Sequence, residues 1–204
     1  MRGVLRTACM TVLGVGAIGT LTLAAQSGTI TPPPVPAGIE VPAGNEVFLL
    51  GRGVGTQNYV CLPAPSIGQV AWTLFTPEAT LFDDQRQQLT THFFSPNPFE
   101  TGNPVLPTWQ ASDSSTVWAR GVKASTDANF VTPGAIPWVK LQVKGTQAGP
   151  TGGDTLTATT FIQRLNTVGG AAPTTGCALP TDIGSTAFVP YTADYFFYKA
   201  PTVF

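Results

Sequence analysis

The sequence predicts an all-β domain, an antiparallel β-sandwich or barrel-like domain of about eight to ten strands with long Pro/Gly-rich loops. Three observations predict it. Only 10% of the 204 residues are charged, while 43% are hydrophobic. That balance excludes a disordered chain, which needs high charge and little apolar content, and a helical bundle, which needs Glu, Lys, Ala and Leu. Gly (22) and Pro (19) punctuate the chain throughout. Between them lie short runs rich in β-branched and aromatic residues, many of them alternating, with no long amphipathic helical pattern.

The first 25 residues stand apart. Arg2 and Arg6 are the only charges before Glu40, and an uncharged stretch ends in Leu23-Ala24-Ala25. A basic start, an apolar middle and a small-residue end predict a secretory signal peptide over 1–25; an uncleaved membrane anchor is the alternative, weakened by several Gly and Thr residues. Cys9 lies too close to the start to be a lipid-attachment cysteine. Cleavage removes Arg2 and Arg6 and leaves 8 Lys/Arg against 11 Asp/Glu, a net charge of −3. The expected location is therefore secreted, extracellular or periplasmic, with no stable membrane insertion after cleavage. A mildly acidic chain is not expected to bind nucleic acid. Residues 26–40, with Pro32, Pro33, Pro34 and Pro36, read as a Pro-rich linker. A single β domain is expected over 41–204.

Within that domain the strands are read in order. Residues 47–50 are apolar and stop at Gly51, Gly53 and Gly55; 57–62 alternate; 70–75 are β-branched and aromatic. Residues 79–82 lead into the turn pair Asp83-Asp84, with helix-tolerant residues after it, and 89–94 resume as a strand. Four prolines make 95–107 a loop. Trp109 and 115–122 follow around an Asp113-Ser114 turn, then a second loop at 124–135 and a strand at 136–143. Residues 155–165 alternate through Leu156, Ala158, Thr160, Ile162 and Arg164; 169–176 form a third loop. Residues 186–189 and 191–198 end the domain. Alternation puts Tyr191, Ala193, Tyr195 and Phe197 on one face and Phe196 and Tyr198 on the other, as in a closing strand.

The chemistry-bearing residues are few. Gly51-Arg52-Gly53-Val54-Gly55 lacks the last glycine and the following helix of a dinucleotide site, so it reads as a Gly-rich hairpin turn. No cofactor is expected. His92 is the one histidine. It is a candidate ligand-binding residue or general base, against the plain alternative of a packed side chain. Its carboxylate partners in a hydrolase or metal-assisted enzyme would be Asp83 or Glu78, although adjacent acids such as Asp83 and Asp84 point to opposite faces of a strand and suit a turn better. No metal site is expected from two cysteines and one histidine without metal-type spacing. Trp109 adjoins the proline loop and is the aromatic best placed to be exposed and to stack on a ligand; core packing is the alternative. In an oxidising compartment Cys61 and Cys177 read most simply as one disulfide, with two buried thiols as the alternative.

Several runs carry a resemblance. They are Gly55-Thr56-Gln57-Asn58-Tyr59-Val60-Cys61, Trp72-Thr73-Leu74-Phe75-Thr76-Pro77-Glu78-Ala79-Thr80-Leu81-Phe82-Asp83, His92-Phe93, Pro107-Thr108-Trp109 and Ile136-Pro137-Trp138. Ile162-Gln163-Arg164-Leu165-Asn166-Thr167-Val168-Gly169-Gly170 and Val189-Pro190-Tyr191-Thr192-Ala193-Asp194-Tyr195 complete the set. The chain resembles, over about residues 41–199, the domain of unknown function 3455 family of exported bacterial and fungal proteins. The resemblance implies export, one domain and paired cysteines at Cys61 and Cys177; it implies no activity. Relatives pass from the His segment to the Pro-Thr-Trp segment in a few residues, whereas here 95–106 intervene. If His92 and Trp109 line one site, this insertion should reshape its rim.

The expected function is non-enzymatic binding of a small ligand, glycan or cell-envelope component near His92 and Trp109. The alternatives are the hydrolase above and a structural surface protein without a small-molecule site.

Overall fold

The computed structural model describes residues 29–66 and 68–201. Eight antiparallel strands follow one another around a closed barrel: β1 (Glu46–Pro63), β2 (Val70–Phe82), β3 (Gln88–Pro96), β4 (Val105–Ala111), β5 (Thr116–Ser125), β6 (Trp138–Gln147), β7 (Thr159–Gly169) and β8 (Thr186–Lys199). Each strand pairs with its neighbour in sequence, and β8 returns to pair with β1. Closure removes the two end edges of the sheet, although the part of β2 before the Ala79–His92 pair is unpaired on its β3 side. The signal-peptide expectation over 1–25 lies outside the described residues. No helix among the described residues is long and apolar enough to cross a membrane.

Eight strands rather than ten result because three pairs of short runs are single long strands. Residues 47–50 and 57–62 are both parts of β1, and the glycines between them are not a turn. They face the barrel interior. A Cβ on Gly53 would stand 2.7 Å from the Tyr195 ring, and one on Gly55 would overlap the Glu78 carbonyl. The glycine run is therefore the place where β1 leaves room for its two neighbours, the Tyr195 ring of β8 at Gly53 and Leu81 and the β2 backbone at Gly51 and Gly55. Residues 70–75 and 79–82 likewise join as β2, and 186–189 and 191–198 as β8. The run 155–165 divides differently: β7 begins at Thr159, and Leu156 belongs to the connection before it. The residues after Asp83 make a turn without helix, with Asp83 Oδ1 accepting from the Gln85 and Gln87 N–H groups at 2.9 and 2.7 Å.

Connections 83–87, 112–115 and 148–158 lie at one end, here the lower. Connections 64–69, 97–104, 126–137 and 170–185 lie at the upper end. Alternation sends one face of each strand inward. The lower half is filled by Leu81, Ala111, Val117, Leu156, Ile162 and Phe197. Leu156 is fully buried there although it comes from a loop. Its N–H donates to Ser115 Oγ at 3.1 Å. Asp113 holds the same loop by accepting from the N–H and hydroxyl of Thr155 at 3.0 and 2.8 Å.

A second apolar cluster lies outside the barrel. Phe196 and Tyr198 of β8, Leu165 of β7 and Trp138 of β6 pack there with Val131 and Ile39. Residues 29–40, expected as part of a linker, run along this outer face. Ile39 is fully buried, and its carbonyl accepts from Gln163 Nε2 at 2.7 Å. Lys140 Nζ donates to the Glu40 carbonyl at 2.8 Å. The apolar outer face of the closing strand is thus covered by the proline-rich segment. At the upper end, Cys61 and Cys177 form a disulfide between β1 and the 170–185 connection, with Cα atoms 5.5 Å apart.

Candidate functional site

His92 on β3 and Trp109 on β4 are direct cross-strand partners. Both point inward, and their rings stack with centroids 4.1 Å apart and planes 6° from parallel. Tyr195 of β8 sets its edge against both, at 5.4 and 5.8 Å. The glycine face of β1 is what admits the Tyr195 ring. This aromatic layer lies at mid-height and forms the floor of a cavity of about 170 Å³ in the upper half of the barrel. Leu74, Phe94, Pro107, Val139 and Leu141 make its apolar wall, and Gln57 and Arg164 supply polar groups. Pro77 and His92 also border a groove on the outer face between β2 and β3, where the ladder stops at the Ala79–His92 pair. Pro77 has no N–H with which to extend it.

The sequence placed His92 and Trp109 in one site, and the structure brings them together. It does not leave Trp109 exposed: the indole is fully buried, with one face against His92. Asp83 is engaged in the lower-end turn, away from His92. Glu78, exposed on the outer face of β2, borders the outer groove together with His92 but makes no hydrogen bond to it. Among the described residues no cluster of three or more His, Cys, Asp or Glu side chains could hold a metal. The inserted segment packs outward. Phe99 lies edge-on to Trp118 at 5.7 Å, Asn97 is fully buried, and Glu100 pairs with Arg120 at 3.1 Å. Only the base of this hairpin, Phe94 and Pro107, borders the cavity.

The electrostatics follow from burial. Desolvation lowers the His92 pKa to about 3, against the smaller upward pull of its hydrogen bond to Thr108. The ring is therefore neutral at ordinary pH. Its Nδ1 lies 2.9 Å from the Thr108 carbonyl, which can only accept. Nδ1 then carries the proton, and Nε2 is left as an acceptor. Burial also raises the Tyr195 phenol above its ordinary value, with the Arg164 charge pulling partly against it. The Tyr195 and Tyr191 hydroxyls share a hydrogen bond at 2.9 Å.

Arg164, Gln57 and Tyr195 are site residues that the sequence reading did not single out as such. Arg164 had a signal: it alternates with Ile162 and so faces the interior, where an arginine needs a reason. Gln57 shares the parity of Gly51, Gly53 and Gly55, which is informative only once that run is known to be one strand.

Residues 42–199 match the family model described as Protein of unknown function (DUF3455). The chain belongs to this family. Family membership carries no activity with it, so the site must be argued from its own chemistry. No curated protein and no solved structure matches the chain significantly.

Proposed function

We propose that this DUF3455 protein is an exported binding barrel that takes a small solute into the upper half of its interior. One observation carries the reading. The cavity of about 170 Å³ joins an apolar wall to buried polar groups that have no partner within the protein. A void lined only by apolar groups would be a packing defect, and one with convergent polar groups is a site. Binding rather than hydrolysis is favoured because no carboxylate lines the cavity; Glu78 shares only the outer groove with His92. The size suits a ligand, or the inserted part of one, of about six to nine non-hydrogen atoms, since an apolar cavity near 150 Å³ accepts benzene. A sugar stacking openly on Trp109 is less well supported, because His92 covers one indole face.

A thermal-shift screen of small organic solutes on the oxidised protein tests this, with Val139→Phe alongside to fill the cavity. A ligand at 100 times its Kd should raise Tm by roughly 5–10 °C. That shift should vanish in Val139→Phe. A screen without any stabiliser, or one whose shifts persist in the filled variant, would overturn the reading.

A further inference from the structure

The cavity-lining residues hold three buried polar atoms without a partner, and these share a sign. Gln57 Nε2, Trp109 Nε1 and Arg164 Nε are buried without a partner at hydrogen-bond geometry, although Gln57 and Arg164 lie near enough to the Tyr191 and Tyr195 hydroxyls to pull against the burial that raises those phenols' pKa values. All three are donors. Gln57 is 2% exposed and Trp109 is fully buried, so water outside the barrel does not solvate them. The Arg164 guanidinium donates from Nη2 to the Pro137 carbonyl at 2.9 Å and also acts on the Tyr195 hydroxyl. No aspartate or glutamate lines the cavity, and Arg164 makes no ion pair among the described residues. His92 and Tyr195 are neutral there. The cavity wall therefore holds one half-buried positive charge without an ion-pair partner, and unsatisfied donors. A charge stripped of part of its water and left unpaired is costly, as is a buried donor without an acceptor.

We propose that the ligand is a small monocarboxylate, bound through its carboxylate by Arg164, Gln57 and Trp109, with its hydrocarbon part against Leu74, Phe94 and Val139. This rests on the reading of the upper half as a ligand site. One guanidinium balances one carboxylate, and its planar fork matches the two oxygens. The apolar wall has nothing to offer the remaining oxygens of phosphate or sulfate. A short hydrocarbon body fills it instead.

The test is calorimetric titration of the oxidised protein with butyrate and benzoate against butyramide and benzamide, their uncharged isosteres. Chloride and inorganic phosphate are run at matched ionic strength. The acids should bind about tenfold tighter than the amides, or better. Arg164→Gln should remove that preference by weakening the acids at least roughly tenfold more than the amides. Val139→Phe should weaken acids and amides alike. Amides binding as tightly as acids would overturn the carboxylate inference and leave the ligand site standing. So would phosphate or chloride binding as tightly as the acids, or other solutes binding while the acids do not. Binding of no solute at all would overturn both. Should Arg164→Gln fail to fold, the acid–amide comparison on the unaltered protein decides.

Discussion

The two halves of this barrel enclose the same kind of space and treat it oppositely. Below the His92–Trp109–Tyr195 layer, Leu81, Val117, Ile162 and Phe197 meet at the axis, and Leu156 enters from a loop to complete the packing. A four-bond carboxylate fixes that loop. Asp113 accepts from the N–H and hydroxyl of both Ser115 and Thr155. Burial works against its charge, yet these bonds outweigh burial and hold Asp113 well below the usual carboxylate range. Above the layer a loop residue is buried too: Ile136 of connection 126–137 meets Tyr191 and Gln57, but it leaves the cavity between itself and the aromatic layer open. Connection 97–104 turns outward onto Trp118, and a disulfide ties 170–185 to β1. The lower half closes its interior around its loop residue, and the upper half keeps a space beneath its own. A protein that needed only a stable barrel would have filled both.

The largest expected effect separates covalent from packed stability. Cys61→Ser with Cys177→Ser opens a loop spanning 116 residues. Chain entropy alone puts the cost near 4–5 kcal/mol, read from denaturant unfolding of the double variant. Native-state hydrogen exchange should show the loss of protection first at the upper end, in β1 beyond Tyr59 and in 170–185. Uniform loss over both halves would mean that the barrel unfolds as one unit and that the ends are not distinct.

The next effect compares equivalent truncations. Leu156→Ala removes a fully buried side chain from a filled space and should cost about 2–5 kcal/mol. Val139→Ala trims a half-buried side chain that already borders an open cavity, and should cost about 1 kcal/mol or less. Equal costs in urea unfolding would show that the upper space is packed in solution.

The barrel class was legible from the spacing of apolar runs, and the faces of β8 from simple alternation. The continuity of β1 was not. Gly51, Gly53 and Gly55 weaken a strand on their own and are tolerated because neighbours need the room: Leu81 at Gly51, the β2 backbone at Gly55 and, at Gly53, the ring of Tyr195, which lies far along the chain. That is a tertiary fact, invisible to a local window. Leu156 shows the same limit: its parity fits a strand, yet burying it at the barrel mouth serves better. At the site, His92 and Trp109 were legible as candidates because single or bulky residues draw attention. The cation and amide that give the cavity its chemistry were not, since a donor is recognisable as unpaired only when its surroundings are known.

The last effect, seen only as pH falls, concerns the layer that divides the halves. His92 is buried, stacked on Trp109 and edged by Tyr195, with the Arg164 charge also acting on it. Its pKa falls to about 3 in the folded barrel, against 6.5 for an ordinary histidine. Above pH 6.5 the ring is neutral whether the chain is folded or not, and the full stability is present. As pH falls below 6.5 the unfolded chain takes up a proton that the folded one refuses, so stability declines continuously until about pH 3. By pH 5 the loss attributable to this ring should be about 2 kcal/mol. His92→Phe keeps an aromatic surface on Trp109 and has no proton to bind. Its stability should sit lower at pH 7, because the hydrogen bond to the Thr108 carbonyl is gone, and should fall less steeply between pH 6.5 and 5. Parallel pH profiles for the two proteins would mean that His92 is solvated, and the floor of the cavity would then be open to water rather than sealed against the packed half beneath it.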